Sequence, residues 1–460
     1  MGLAVLDQYP SVDYISFGEG DEVIAAFCKM LLESRHDPLP YGILGKGKRA
    51  EDFKAPHRLT ADMNMVPLPE YRDFFEEAEK ERRGDYGPSC FYMEAENTGE
   101  PFRSEETHYG EIVFLEGSRG CWWGEKHACS FCGLNGLQNV YREKDPGHFL
   151  EEIRTVTKRY PGCRIQMSDN VLSSRMIREL LPALESDETQ YRIFAEVKTN
   201  LSESDIRALV RAGIRNVQPG IESLNDHLLQ LMRKGNTAIN HVAFLKYCRA
   251  AGLLPSWNLL YGVPGEVQED YEEMAKLLPA LTHLRPPTSF TPISFQRYSR
   301  YWMEPEAYGL VLEPDPIYRY CLADQKDLIR QTAMLYDVTG GSFQKEKEEH
   351  AGCYLKVGEQ VKKWKALWSQ RPVPELIMTD TSQGISILDT RPCRTRLLTR
   401  LKGIACDIYR LAWSPVSYAK LQDALGERVT DRELQAILQE MTDSKLMVSI
   451  SERYLALAIP

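Results

Sequence analysis

An α/β fold built around a partial barrel of six strand–helix units is what the sequence predicts, on three observations. From residue 111 onward, apolar strand-like runs alternate with amphipathic helical spacing six times in succession. Helix-start signals such as Ser202-Glu-Ser-Asp205 punctuate that alternation. From about residue 403 the pattern changes to three short helices and two short strands, a winged-helix-like layout. Alternating strands and helices form parallel sheets with right-handed crossovers. Six units fall short of the eight that close a full TIM-type barrel, so a partial barrel is expected, with its ligand site at the carboxyl ends of the strands.

Taken in order, residues 1–46 read as a loose end. Val12-Asp-Tyr-Ile-Ser-Phe17 is strand-like, Gly18-Glu-Gly20 is a turn, and Glu22 to Glu33 has helical apolar spacing. One strand and one helix bury no core alone, so the piece is expected to dock on the rest or to follow something larger. Residues 47–110 are polar, with Pro67, Pro69 and a charged helix around Asp73 to Arg83, and read as a connecting region. The barrel region, 111–300, has strands expected at 111–116, 164–168, 191–198, 215–219, 256–261 and 290–296. Helices fill the gaps at 145–160, 174–185, 202–213, 224–233, 238–251 and 268–281. Residues 301–402 mix aromatics and charges around helical stretches at 323–335 and 354–368, and read as a substrate-channel or auxiliary region. In 403–460, helical spacing at 404–412 and 416–425 precedes the capping box Thr430-Asp-Arg-Glu433. The strands Leu446-Met-Val-Ser-Ile450 and Tyr454-Leu-Ala-Leu-Ala458 complete that segment.

Composition narrows the class. Of 460 residues, 43% are apolar and 27% charged, ordinary for a globular protein. No apolar run is long enough to span a bilayer and the N-terminus lacks a secretory layout, so a cytoplasmic protein without a membrane partner is expected. A net charge of −10 argues against a nucleic-acid partner. The C-terminal segment lacks a basic recognition helix, which favours peptide binding or packing over DNA binding.

Three cysteines carry the chemistry: Cys121-Trp-Trp-Gly-Glu-Lys-His-Ala-Cys129-Ser-Phe-Cys132, directly after the first strand. A structural zinc site closes its sphere with four ligands. A cubane iron–sulfur cluster held by three thiolates leaves one iron open to a substrate or cofactor. The other eight cysteines (Cys28, Cys90, Cys163, Cys248, Cys321, Cys353, Cys393 and Cys406) read by default as small buried hydrophobes.

With the six-unit array behind it, this loop resembles that of a radical S-adenosylmethionine (SAM) enzyme, although its spacing is C-x7-C-x2-C where the family usually has C-x3-C-x2-C. The words Ser118-Arg-Gly-Cys-Trp-Trp-Gly124 and Cys129-Ser-Phe-Cys-Gly-Leu-Asn-Gly136 resemble a narrower group, the radical SAM maturases of ribosomally synthesised peptides, which usually carry an N-terminal cobalamin-binding domain. The resemblance implies that Cys121, Cys129 and Cys132 hold a [4Fe–4S] cluster whose open iron chelates SAM. An electron donor such as flavodoxin or ferredoxin would drive SAM cleavage and hydrogen abstraction from the substrate. Gly120, Gly124 and Gly133 would allow close backbone approach to the cluster, and Trp122, Trp123 and Phe131 would shield it. Strand ends would hold SAM: Ser168, Asp169 and Asn170 its amino group, Glu196 and Lys198 its polar groups, Gln218 and Glu222 the ribose, Tyr261 and Gly262 the adenine side.

The same resemblance reads residues 1–46 as a remnant of a Rossmann-like cobalamin-type domain. No Asp-x-His-x-x-Gly signature occurs, so cobalamin is expected only if an upstream domain exists. Without cobalamin, the implied reaction on an unactivated peptide carbon is epimerisation, with a thiol returning the hydrogen. Cys321 is the first choice for that donor, then Cys353 and Cys393. Cobalamin-dependent C-methylation is the alternative, and a non-catalytic, metal-stabilised leader-peptide-binding protein a further one. The substrate would be a ribosomally synthesised precursor peptide. Its leader would add as a strand to the C-terminal domain, and the aromatic segment Phe290 to Trp302 would line its channel.

Overall fold

The computed structural model describes residues 1–33, 38–47, 59–82, 111–136, 139–322 and 325–460. Most of the expected connecting region, and Cys90, lie outside the described residues. The chain divides into two compact units, each of three segments. Met1–Leu68, Gly117–Phe149 and Ser294–Gln344 form the first; Pro69–Glu116, Leu150–Ile293 and Lys345–Pro460 form the second.

The second unit holds the parallel array. Strands Ile112–Leu115, Arg164–Met167, Ile193–Val197 and Ile214–Pro219 pair in chain order, all parallel. The fifth expected strand is broken in two: Leu254–Pro255 continues this sheet, and Asn258–Tyr261 pairs in parallel with the sixth strand, Ser289–Pro292. A bridge between Glu222 and Leu259 links the two parts. Strand alternation sorts the side chains: Ile193, Ala195 and Val197 are buried, while Phe194 and Glu196 are half-buried on the other face. Helices Ser174–Ser186, Glu203–Arg211, Ala238–Ala251 and Gln268–Leu277 return the chain between strands. Ser202 and Asp205 form the expected capping box, so the helix starts where two orphan amides are satisfied.

Helix Ala238–Ala251 is buried almost all round, from Ile239 and Val242 to Tyr247 and Cys248. Such a helix lies inside rather than on a face. The strands Met447–Ile450 and Arg453–Ala456 pack on it. Lys246, fully buried, donates to the carbonyls of Ala456 (2.9 Å) and Trp413, and lies 3.8 Å from the Trp413 ring centre. In the C-terminal segment, helices Ile404–Leu411, Tyr418–Leu425 and Asp431–Asp443 accompany an antiparallel sheet ordered Val416–Ser417, Arg453–Ala456, Met447–Ile450. The helix expected from 416 starts later because Val416 and Ser417 pair with Tyr454 and Arg453, after which Ser417 caps the helix. Residues 376–401 form an antiparallel three-stranded sheet that periodicity did not reveal.

In the first unit the loose end is anchored. Helix Gly2–Gln8 packs on helix Lys326–Thr332, and Phe27 joins Val23 and Ile43 in a small core. The sixth expected strand stops being parallel after Pro292. Phe295–Gln296 pairs instead, antiparallel, with Leu335–Tyr336. The helix expected over 323–335 is accordingly shorter, Lys326–Thr332, since Leu335–Gly340 is a strand. Among the described residues no helix is long and apolar enough to cross a membrane.

Candidate functional site

Two constellations carry chemistry, one in each unit. In the first, the cysteine loop leaves a neck in which Ser118–Arg119 pairs with Arg142–Glu143. Cys121 caps the short helix Trp122–Lys126, its Sγ accepting from the Gly124 amide at 3.4 Å. The Cys121 amide donates to Asn139 Oδ1 at 2.8 Å, and the Cys132 amide to the Cys129 carbonyl at 3.2 Å. All three thiols are partly exposed. Gly120 has φ +83°, and a side chain there would press on the Val140 carbonyl 2.5 Å away; one at Gly133 would run into the Arg297 carbonyl. In the structure these glycines admit protein backbone, a requirement separate from any cluster.

Arg297 departs from its expected place lining a channel. It is buried, and it donates to the carbonyls of Ala333 (2.6 Å) and Arg330 and to the Tyr336 hydroxyl (2.6 Å). Its segment also backs the cysteine loop, since Gly133 N donates to Gln296 Oε1 at 3.1 Å.

In the second unit the strand ends gather carboxylates. Burial pushes the Glu196 carboxyl up to about 7, and the charges of Glu222 and Asp169 push the same way. Asp169 is buried, Glu196, Glu222 and Asn170 are half-buried, and Ser168 and Gln218 are exposed. Lys198 donates to the Lys234 carbonyl at 3.3 Å, and Lys234 Nζ lies 3.3 Å from Glu222 Oε1. Glu222 has φ +61°, a conformation a side-chain-bearing residue adopts at a cost, and its carbonyl receives the Leu260 amide at 2.8 Å. Sequence reasoning missed Lys234 and His241. His241 is fully buried and neither ring nitrogen has a hydrogen-bond partner among the described residues. Burial, then Lys234 and Lys198, holds it neutral with its pKa down at about 3. Their signal was weak: a lysine after a short helix, and a histidine inside an apolar helical pattern.

A further cluster follows the fifth strand. Tyr261 packs against Phe290 and Tyr354, ring centres 4.8 and 4.6 Å apart. The buried Glu266 accepts from the Val263 amide at 2.6 Å and from the hydroxyls of Tyr271 and Tyr354; His350 Nδ1 lies 3.4 Å from it. Gly262 N donates to Tyr271 at 3.3 Å. Of the three candidate donor thiols, Cys353 lies here, its Sγ donating to the His350 carbonyl at 2.9 Å. Burial and then Glu266 push its thiol pKa up. Cys393 lies with Leu278, Pro279 and Thr282 around a 340 Å³ cavity. Those residues follow helix Gln268–Leu277, which runs away from the strand carboxyl ends. Cys321 is exposed at the end of helix Ile317–Cys321 in the first unit.

Residues 115–278 match the model of the Radical SAM superfamily. That stretch is similar to the radical SAM superfamily. Over 237 residues it is 24% identical to the anaerobic magnesium-protoporphyrin IX monomethyl ester cyclase of Synechocystis, covering 50% of this chain and 42% of the cyclase. Over 173 residues it is 25% identical to the bacteriochlorophyllide d C-8(2)-methyltransferase of Chlorobaculum tepidum, covering 35% of this chain and 38% of that enzyme. The chain thus spans less than half the length of either relative. Among solved structures, the radical SAM methyltransferase TsrM from Kitasatospora setae gives a TM-score of 0.48 at 16% identity, covering 78% of this chain and 70% of that one. The cobalamin-dependent SAM radical enzyme OxsB gives 0.44 at 16% identity, covering 74% and 42%.

A radical SAM domain implies a [4Fe–4S] cluster and SAM. Among the described residues no group of three or more His, Cys, Asp or Glu side chains is placed to hold a single metal ion. The fit to a cluster rests on donor chemistry: three thiols within one short loop, on a backbone that turns tightly at Gly120. The fit to SAM rests on the carboxylates around Glu196, which suit a cationic ligand.

Proposed function

We propose that this chain is a radical SAM enzyme acting on an unactivated carbon of a ribosomally synthesised precursor peptide. The observation that carries the cofactor half of this reading is the raised carboxyl of Glu196 between Asp169 and Glu222. A cationic ligand would relieve that crowding, and SAM is cationic at both its ammonium and its sulfonium. Cys121, Cys129 and Cys132 would hold the cluster. With both cofactors bound, one electron splits SAM and a hydrogen atom is taken from the substrate.

This chain's own residues bind and orient. Asp169 and Glu196 would receive the ammonium of SAM, Glu222 a ribose hydroxyl, and the Tyr261 ring the adenine. Lys234, beside Glu222, limits how much negative charge that carboxylate presents. The peptide half rests on the sequence words around the cysteines, and the C-terminal segment is the proposed leader site.

For the fate of the substrate, the position of Cys353 favours epimerisation. A hydrogen-atom donor must carry its S–H, and burial keeps this thiol protonated. Its S–H bond would break as the new C–H bond forms. The sulfur-centred radical then needs one electron from a flavodoxin- or ferredoxin-like donor and one proton to return to thiol. Methyl transfer is the second reading, favoured by the likeness to the Chlorobaculum methyltransferase.

Anaerobic reconstitution tests the first claim. About four irons and four sulfides per chain are expected, with reductive SAM cleavage; zinc alone without cleavage would overturn it. Each of C121S, C129S and C132S should lose the cluster. Turnover of a candidate peptide in D2O then separates the fates: deuterium at one α-carbon marks epimerisation, added methyl mass marks transfer. Full epimerisation by a C353A variant would remove Cys353 from the reading.

A further inference from the structure

Arg119 and Arg142 stand directly across from each other in the two-residue ladder at the neck of the cysteine loop. Like charges opposed across a ladder repel, and these side chains are only 19% and 14% exposed, so water screens them poorly. Two carboxylates from the N-terminal segment answer them. Glu19 takes Arg142 in two hydrogen bonds of 2.6 and 2.8 Å and lies 3.1 Å from Arg119. Asp21 takes Arg119 in two, of 2.6 and 3.2 Å. Thr60 completes the arrangement, its amide donating to Glu19 at 2.6 Å and its carbonyl accepting from Arg142 at 2.7 Å.

We propose that Glu19 and Asp21 are positioning residues for the cysteine loop: they neutralise the paired arginines and so hold its neck closed. A ladder of two residue pairs is too short to hold alone. Cys121 begins two residues beyond Arg119, and its amide is tied to Asn139 just before the other side of the neck. If the neck opens, Cys121 loses its fixed relation to Cys129 and Cys132. The N-terminal segment thereby belongs to the metal-holding machinery. The inference rests on the reading of those cysteines as cluster ligands.

Charge balance supplies the test. Of the two carboxylates described on these arginines, E19Q leaves that of Asp21 against both; E19Q/R142Q restores one against one. Hydrogen exchange is measured on the full-length protein before reconstitution, and iron and sulfide content after it. In E19Q and in E19Q/D21N, amides of 118–121 and 139–143 should exchange up to about fivefold faster, the upper end for a like-charged cross-strand pair. Cluster content should fall with it, and E19Q/R142Q should recover both. Unchanged exchange in E19Q/D21N overturns the clamp. Faster exchange with full cluster content overturns its role in positioning the cysteines, and failure of E19Q/R142Q to recover overturns the charge argument. If the parent protein took up no iron at all, the reading of the loop would fall, while exchange would still decide the clamp.

Discussion

Glu196 shows how a strand-end residue acquires its chemistry from neighbours that sequence does not place beside it. Its position at the end of the third strand was readable from alternation; its protonation was not, because Asp169 and Glu222 reach it from other strands. The cysteines stood out as three within one short loop behind a strand–helix array, whereas Lys234 and His241 were masked by a short helix end and an apolar pattern. Two predictions belong at this scale. The folded carboxyl, at about 7, lies above its ordinary value of 4.5, so the folded state binds the extra proton between those limits. Stability is therefore lost as pH rises from about 4.5 through about 7. E196Q should gain thermal stability relative to the parent at pH 8 but not at pH 4.5; equal differences at both would reject the shift. The charged groups acting on Glu196 are Glu222 and Asp169; Lys234 pairs with Glu222, and Lys234 and Lys198 act on the neutral His241. SAM binding should also expel a proton near pH 6.5, since a cation draws that carboxyl down. Calorimetry in buffers of different ionisation enthalpy should show this release, diminished at pH 8.5; no buffer dependence would rule it out.

Among elements, the alternating strands and helices were legible because each is long enough to show its period. Invisible were those whose pairing is non-local: the two-residue neck strands, the sheet over 376–401, and the diversion of Phe295–Gln296 to a new partner. Helix Ala351–Trp368 was expected, but its link to the fifth strand end through Tyr354 and Glu266 was not. That link has a measurable strength. E266A leaves two tyrosine hydroxyls and the Val263 amide without their acceptor, at about 1–3 kcal/mol each and less than additive, so about 3 kcal/mol in total. Y354F should cost about 1 kcal/mol. Denaturant unfolding measures both, and a loss below 1 kcal/mol for E266A would show that the carboxylate holds nothing in place.

For the whole molecule, the division into two units of three segments each could not be read from composition, because the chain crosses between them without a linker signature. The C-terminal segment read as a separable domain. In the structure it covers helix Ala238–Ala251 through Lys246, and Leu457 supplies the carbonyl 3.0 Å from the buried His283. Removing residues 403–460 should therefore unfold the second unit, leaving no intact remainder that has lost only a peptide site. A truncated chain whose second unit still unfolds cooperatively would contradict this.

That covering also sets a clock. Lys246 and Ala456 are 210 residues apart. At about 5–20 residues per second, the ribosome takes roughly 10–40 s to deliver the second after the first. Throughout that interval a helix that ends up buried on nearly all sides has emerged without its cover. The nascent chain is then open to aggregation or to capture by a chaperone, which makes the speed of synthesis over the two hundred or so residues between Lys246 and Ala456 a determinant of yield.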